Sequence, residues 1–271
     1  MKPVVVRGLE IGVGMPKICV SIMGKTKAEI IEETKIALAT DADLLEWRVD
    51  FCELNHATDL IDILGILREM LHERPLLFTL RTLREGGCKE IAPLQYVQIL
   101  QRAIESRCVD IVDVEIFVDV YDSWKTVKEL DIVPRNNMHQ YTNTIIAQAH
   151  KHNVKVLGSN HNFKGTSPME EIVLRLLEMK NIGVDIGKIA VMPKSKKDVL
   201  TLLNATLEMS HRGMNIPIVT MAMGDYGKIS RICGEFFGSA VTFAAVREES
   251  APGQIKVDVL KEMLAQMHVV L

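Results

Sequence analysis

The sequence predicts a (β/α)₈ TIM barrel with a short N-terminal β-hairpin closing the amino-terminal end, and three observations predict it. Eight β-rich apolar runs recur along the 271 residues, helix-start signals fall between them, and no linker rich in Pro, Gly or Ser cuts the chain in two. One domain over residues 1–271 is therefore expected. A doubly wound open sheet uses the same alternation and is the competing architecture.

Taken in order, a β-like opening around Val4 to Val13 supplies the hairpin, and the first barrel strand is expected near Lys17 to Met23. Thr26 and Glu29 then have the spacing of a capping box, in which a hydroxyl and a carboxylate satisfy free backbone N–H groups at a helix start. Strands follow near Leu44 to Val49 and Leu76 to Arg81. Pro93 suits a first helical position, where its missing N–H costs nothing, and Val97, Leu100 and Ile104 recur behind it at helical spacing. After a strand near Asp110 to Ile116, the stretch from about Val118 to Met138 is long for a connection; a lid extension and an oligomer contact are open readings, and a solvated excursion is favoured.

A strand near Val154 to Ser159 leads to Ser167-Pro168-Met169-Glu170, which combines a capping spacing with a first-turn proline ahead of Ile172, Leu176 and Met179. Strands near Lys188 to Met192, Pro217 to Ala222 and Ser239 to Ala245 complete the eight. Leu260, Met263 and Met267 mark the apolar face of a final helix.

Composition narrows the function classes. With 48% hydrophobic and 25% charged residues the chain can bury a large core unaided, and a net charge of −3 without a basic stripe gives no general attraction to nucleic acid or anionic lipid. No run approaches the length of a membrane span, and the N-terminal residues lack the apolar core of a signal peptide. Cys19, Cys52, Cys88, Cys108 and Cys233 are scattered without a C-x-x-C pair, which fits a reducing cytoplasm better than a disulfide framework or a zinc knuckle. His150-Lys151-His152 has no third ligand at a convincing spacing and reads as a helix end. Small-molecule chemistry is the expectation.

Lys188 is the most informative residue, because it lies inside the apolar run Gly187-Lys188-Ile189-Ala190-Val191-Met192-Pro193, where an ammonium is costly to bury. A lone strand lysine is more often an edge residue whose head reaches water. Its company argues otherwise. Period-two alternation puts Lys188, Ala190 and Met192 on one face, and the same split turns Glu46, Arg48, Thr79, Arg81, Asp113 and Glu115 to the barrel interior while Leu45, Trp47, Phe78, Val112 and Val114 face helices. Ser21 and His161 join the inward set. A sealed core could not hold these groups unpaired, so they are expected at the carboxyl-end mouth, although some could form only an internal ion-pair network.

A desolvated lysine near other cations can lose its proton at neutral pH and attack a ketone, and the resulting iminium acidifies the neighbouring C–H. A histidine can take that proton and later return it to a departing hydroxyl. Lys188 with His161 therefore reads as carbonyl-dependent elimination or aldol-type cleavage.

Six segments, read together and in order, resemble the type I 3-dehydroquinate dehydratases. They are Glu46-Trp47-Arg48-Val49-Asp50, Arg81 with Glu85-Gly86-Gly87, Ser159-Asn160-His161, Lys188 to Pro193, Ile229-Ser230-Arg231 and Ser250-Ala251-Pro252-Gly253-Gln254. The resemblance implies a cytoplasmic, homodimeric barrel hydro-lyase of the shikimate pathway that acts on 3-dehydroquinate by syn elimination through a lysine imine, without metal or organic cofactor. On that resemblance Lys188 matches the Schiff-base lysine, His161 the proton-transferring histidine and Glu85 the carboxylate that orients it. Arg231 matches the arginine that grips the substrate carboxylate, which without the match would read as a helix-surface residue. Glu46, Arg48 and Arg81 match residues that hold substrate hydroxyls, and Ser250 and Gln254 a closing loop. Ser21, Met221, Met223 and Phe243 fall at strand positions that would wall the pocket. Asn162 and Lys164 depart from the pattern, standing where an acidic residue and a histidine are expected.

Two alternatives stay open on the residues. A class I aldolase would also use a barrel lysine imine, and a catalytically silent barrel could bind a small anion. Substrate profiling separates the first, and the presence of both Lys188 and His161 argues against the second.

Overall fold

The computed structural model of the chain describes residues 2–53, 57–117 and 140–268. A hairpin of β1 (Val4–Val6) and β2 (Leu9–Ile11) precedes the barrel strands β3 (Lys17–Ile22), β4 (Leu44–Arg48), β5 (Leu76–Thr79), β6 (Ile111–Glu115), β7 (Lys155–Asn162), β8 (Ile186–Val191), β9 (Ile218–Ala222) and β10 (Val241–Ala245). The helices between and after them are α1 (Lys27–Leu38), α2 (Ala57–Leu71), α3 (Pro93–Glu105), α4 (Gln140–Lys151), α5 (Met169–Asn181), α6 (Lys196–His211), α7 (Gly224–Ile232), α8 (Gly234–Phe237) and α9 (Val257–Met267). Strands β3 to β9 pair in sequence order, all parallel, and β10 returns to pair with β3. A bridge from Ile218 to Ser239 and the bond from Ala240 N to Ile218 O at 2.8 Å join β9 to the start of β10. The sheet is therefore a closed ring, and the open-sheet alternative is excluded by the return of the last strand to the first.

Two apolar layers follow from the alternation. Outward residues such as Leu45, Trp47, Phe78, Val112, Val114, Ile189 and Val191 pack with helix residues in one continuous core. Inward residues near the amino end, among them Cys19, Leu44, Leu77, Ile111 and Leu157, pack beneath Val4, Val6 and Ile11 of the hairpin. The hairpin thus closes the amino end, and the inward ionisable groups are left at the other.

Two helix starts carry the local signals expected of them. Thr26 and Glu29 form the expected capping box, and Pro93 opens α3 at its first position. Three readings need correction. Ser167 does not cap α5, whose N-cap is Pro168 without a side-chain bond, because the proline fixes an extended approach and carries the cap position itself. In α9 the buried face is Val257, Leu260 and Leu264, while Met263 is 38% exposed, since one residue is 100° of helix rotation. Strand β7 runs on to Asn162, because His161 and Asn162 still pair with Ala190 and Val191. A second capping box, Ser195 with Asp198, opens α6, and the two-residue strand β11 (Ile255–Lys256) pairs with β10; neither was anticipated. The long connection read at Val118 to Met138 lies outside the described residues.

Candidate active site

Backbone alternation brings the ionisable side chains inward, and their pairing decides how they share the space. Glu46 on β4 accepts from Ser21 Oγ at 2.5 Å and Thr79 Oγ1 at 2.8 Å. Arg48 makes a two-point contact with Asp50, Nε to Oδ1 and Nη2 to Oδ2 both at 2.9 Å. Arg81, just past β5, reaches across to β6: Nη2 donates to Asp113 Oδ2 at 2.6 Å and Nη1 to Glu115 Oε1 at 3.0 Å. All of these charges are buried, so each carboxylate depends on its partner. Replacing Arg81 with Met is expected to lower unfolding free energy in urea by about 3 to 5 kcal/mol, because Asp113 and Glu115 would lose their strongest shared counter-charge; an unchanged midpoint would contradict this.

Lys188 stands on β8 opposite Ser159 of β7, with 4% of its surface exposed. Its Nζ is 3.6 Å from Asp113 Oδ2 and 4.3 Å from the centroid of the Phe243 ring. Burial pushes the ammonium pKa down from its ordinary value, and Arg81 pushes the same way against Asp113 and Glu46. Asp113, although burial pushes its carboxyl up, is held below the ordinary range by Arg81, Lys188 and the 2.6 Å bond from Ser159 Oγ. The bland reading of Lys188 as an edge lysine in water is excluded by its burial.

His161 shares the cavity with Lys188. Glu85, at the end of a 3-10 turn after β5, accepts from the His161 backbone N–H at 3.0 Å, and its Oε2 lies 3.0 Å from His161 Nδ1. Its other oxygen accepts from Asn160 Nδ2 at 2.7 Å. Burial holds the His161 pKa well below its ordinary value, helped by the cations Arg81, Lys188 and Arg48. Burial thus favours the neutral imidazole, and with Nδ1–H donating to the Glu85 carboxylate the ring's lone pair falls on Nε2. Burial pushes the Glu85 carboxyl up, with Glu115 adding to it and Arg81 and Asn160 opposing. The turn that presents Glu85 ends on Gly86 at φ +88°, a left-handed conformation that favours Gly, and an added Cβ would also have to displace the exposed Phe163 ring.

The segment from Ser250 to Gln254 roofs the site. Ser250 Oγ lies 2.9 Å from Ser21 Oγ and accepts from Gln254 Nε2 at 2.9 Å, and Arg48 Nη1 donates to Ser250 O at 3.3 Å. Gly253 at φ +81° passes so near Gly224 that a Cβ would sit 2.4 Å from its carbonyl oxygen. The cavity beneath this segment opens to solvent, and the space counted together with that opening is about 450 Å³.

Every expected site residue except Ser21 and Arg231 lines that cavity: Lys188, His161, Glu85, Glu46, Arg48, Arg81, Ser250, Gln254, Met221, Met223 and Phe243. Ser21 stands behind, between Glu46 and Ser250. Arg231 is buried rather than on a helix surface, with Nη1 donating to Phe243 O at 3.4 Å and Nη2 to Pro252 O at 3.1 Å. Among the described residues it makes no ion pair, its Nε has no partner, and burial lowers its pKa to about 10. Sequence reasoning missed Phe163 and Ala251 on the wall. Phe163 lies in the bend just after β7, beyond the strand alternation, so no local pattern in the sequence marks it. Cys88 is exposed, and His150 pairs with Asp185 at 2.9 Å; among the described residues no group of three or more His, Cys, Asp or Glu could hold a metal ion. No described helix is long and apolar enough to cross a membrane.

Residues 18–270 match the family model described as type I 3-dehydroquinase. The 3-dehydroquinate dehydratase of Salmonella typhimurium is 44% identical over 269 residues, covering 99% of both chains. Among solved structures, the type I 3-dehydroquinate dehydratase of Clostridium difficile, crystallised with covalently modified comenic acid, superposes with a TM-score of 0.88 at 42% identity over 98% of each chain. The 3-dehydroquinate dehydratase of Geobacillus kaustophilus gives a TM-score of 0.87 at 34% identity, covering 98% of this chain and 96% of that one.

Proposed function

The chain belongs to the type I 3-dehydroquinase family, and from that premise we propose that Lys188 carries its reaction as a covalent imine, with His161 moving the protons. The activity is that of a 3-dehydroquinate dehydratase, a hydro-lyase that removes water from 3-dehydroquinate to give 3-dehydroshikimate.

The observation that carries the residue assignment is the buried Lys188 ammonium held between Asp113 and the Phe243 ring, in one cavity with the Glu85–His161 pair. Once deprotonated, the amine adds to the ketone carbon and the carbinolamine loses water to give an iminium. Nε2 of His161 takes the proton from the adjacent carbon, and the electron pair of that C–H bond flows into the iminium as an enamine. The enamine pair then expels the β-hydroxyl, which leaves as water with the proton returned by the same nitrogen. Hydrolysis of the conjugated iminium restores the amine and releases the product. Glu85 keeps the imidazole in the required tautomer and offsets the positive charge it gains midway.

Arg231 supplies the anion subsite. A buried guanidinium without a carboxylate partner is costly, and a substrate carboxylate would meet it as the Pro252 carbonyl moves aside. Arg231→Lys is expected to raise KM about 10- to 100-fold while lowering kcat less, because lysine cannot grip a carboxylate at two points; steady-state kinetics check it, and an unchanged KM would remove the subsite. Glu46, Arg48, Ser21, Ser250 and Gln254 form the hydroxyl-binding side and roof, and Met221, Met223 and Phe243 the apolar wall.

We further assign the enzyme to the cytoplasm as a homodimer. Free cysteines suit a reducing compartment, and the packed helices α6 to α8 carry the exposed apolar side chains Leu200, Tyr226, Ile229 and Phe236. Sedimentation tests the dimer. The covalent step is tested by adding borohydride with 3-dehydroquinate and mapping the adduct by mass spectrometry. An adduct on Lys188 is expected, and turnover without any trapped lysine would overturn the imine.

A further inference from the structure

Glu85 lines the cavity, but one of its hydrogen bonds comes from a residue that does not. Its Oε2 serves His161, but its Oε1 accepts from Nδ2 of Asn160, at 2.7 Å. Asn160 precedes His161 on β7, so strand alternation points its side chain away from His161's and toward the helical layer. There its Oδ1 accepts from Nη1 of Arg175 on α5 at 3.0 Å, which fixes which end of the amide faces Glu85.

Arg175 is unusual in itself. It is fully buried, among the largest buried side chains in the protein, and it sits in the layer between sheet and helices, where most side chains are apolar. Its Nε donates to Glu171 Oε1 at 2.9 Å, and its guanidinium lies 4.5 Å from the Phe117 ring centroid. A structural ion pair with Glu171 one turn away does not require the further contact to Asn160. Nor does strand pairing require a fully buried asparagine whose amide bonds on both sides to charged groups.

We propose that Asn160, fixed by Arg175, is a positioning residue for the dehydration, holding the Glu85 carboxylate as the anion that orients and supports His161. The polarity runs one way along the chain of bonds: the Arg175 cation donates to the amide oxygen, and the amide N–H₂ donates to Glu85. Glu85 then keeps an oxygen for His161 Nδ1–H throughout the proton transfers. The inference rests on the assignment of His161 and Lys188 made above, and it deepens that assignment by adding a layer that touches neither substrate nor cavity.

The test uses the full chain with two variants, Asn160→Ala and Arg175→Gln, each assayed for kcat, KM, the pH profile of kcat and borohydride trapping on Lys188. Loss of one hydrogen bond to a charged carboxylate should let Glu85 take its proton about one pH unit earlier, moving the acid limb of kcat upward by that amount. We expect kcat to fall about 10- to 100-fold in Asn160→Ala and about 3- to 10-fold in Arg175→Gln, where the amide still donates. In both, KM should change less than about twofold and the Lys188 adduct should form in full. A packing defect alone would lower the melting temperature without moving the acid limb. The proposal is overturned if either folded variant keeps the parental kcat and acid limb, or if the loss falls on KM. Should only one variant fold, that one decides. Failure of the parent protein to trap 3-dehydroquinate at Lys188 would instead overturn the imine assignment, a result the parental control separates from these.

Discussion

Lys188→Met is expected to abolish the borohydride-trapped adduct and to lower kcat on the order of 10⁴- to 10⁶-fold, the scale on which loss of a covalent nucleophile falls. The same change should not harm the fold. Burial depresses the Lys188 pKa below 10.5, so in the window between the folded value and 10.5 the unfolded chain binds the extra proton. Stability therefore rises with pH through that window, and at neutral pH the buried ammonium is a net cost. Methionine removes that cost, and Asp113 keeps Arg81 and Ser159 at 2.6 Å each. The variant should melt at or above the parent's temperature at pH 7, with the difference shrinking as pH approaches 10.5. A variant that is inactive and also clearly less stable would make Lys188 a structural residue first.

His161→Ala should separate the covalent step from the proton transfers. The amine of Lys188 is intact, so the adduct still forms, while kcat falls about 10²- to 10⁴-fold because no positioned group moves the proton. The pH profile of the activity left should also lose its acid limb, since the Glu85–His161 pair no longer titrates as a unit. Stability carries its own signature. His161 is held neutral by burial, so below about pH 6.5 the unfolded chain binds a proton that the folded protein refuses. The parent therefore loses stability as pH falls through that region, and the variant should lose less there. Near-normal kcat in His161→Ala would remove its acid/base role.

The architecture and the facing of most site residues were legible in the sequence for a local reason. Alternation along a strand is a property of the backbone, so Glu46, Arg48, Asp113, Glu115 and Lys188 could be turned inward from spacing alone. Likewise the box of Thr26 and Glu29 closes within one turn. Register fails where a single residue changes the answer, as Met263 in place of Leu264 did in α9.

The sequence alone determined the barrel, its inward face and the chemistry that a buried lysine beside a histidine can perform. Tertiary structure decided which of these groups meet. Glu85 comes from a turn after β5 and finds His161 on β7, skipping β6, and Arg231 crosses from α7 to the carbonyls of Phe243 and Pro252. The outward-facing Asn160 and Arg175 join the site from behind. Such meetings depend on the curvature of the closed sheet and the paths of its loops, which bring together residues far apart in the chain. Spacing between neighbours along the chain carries no record of them.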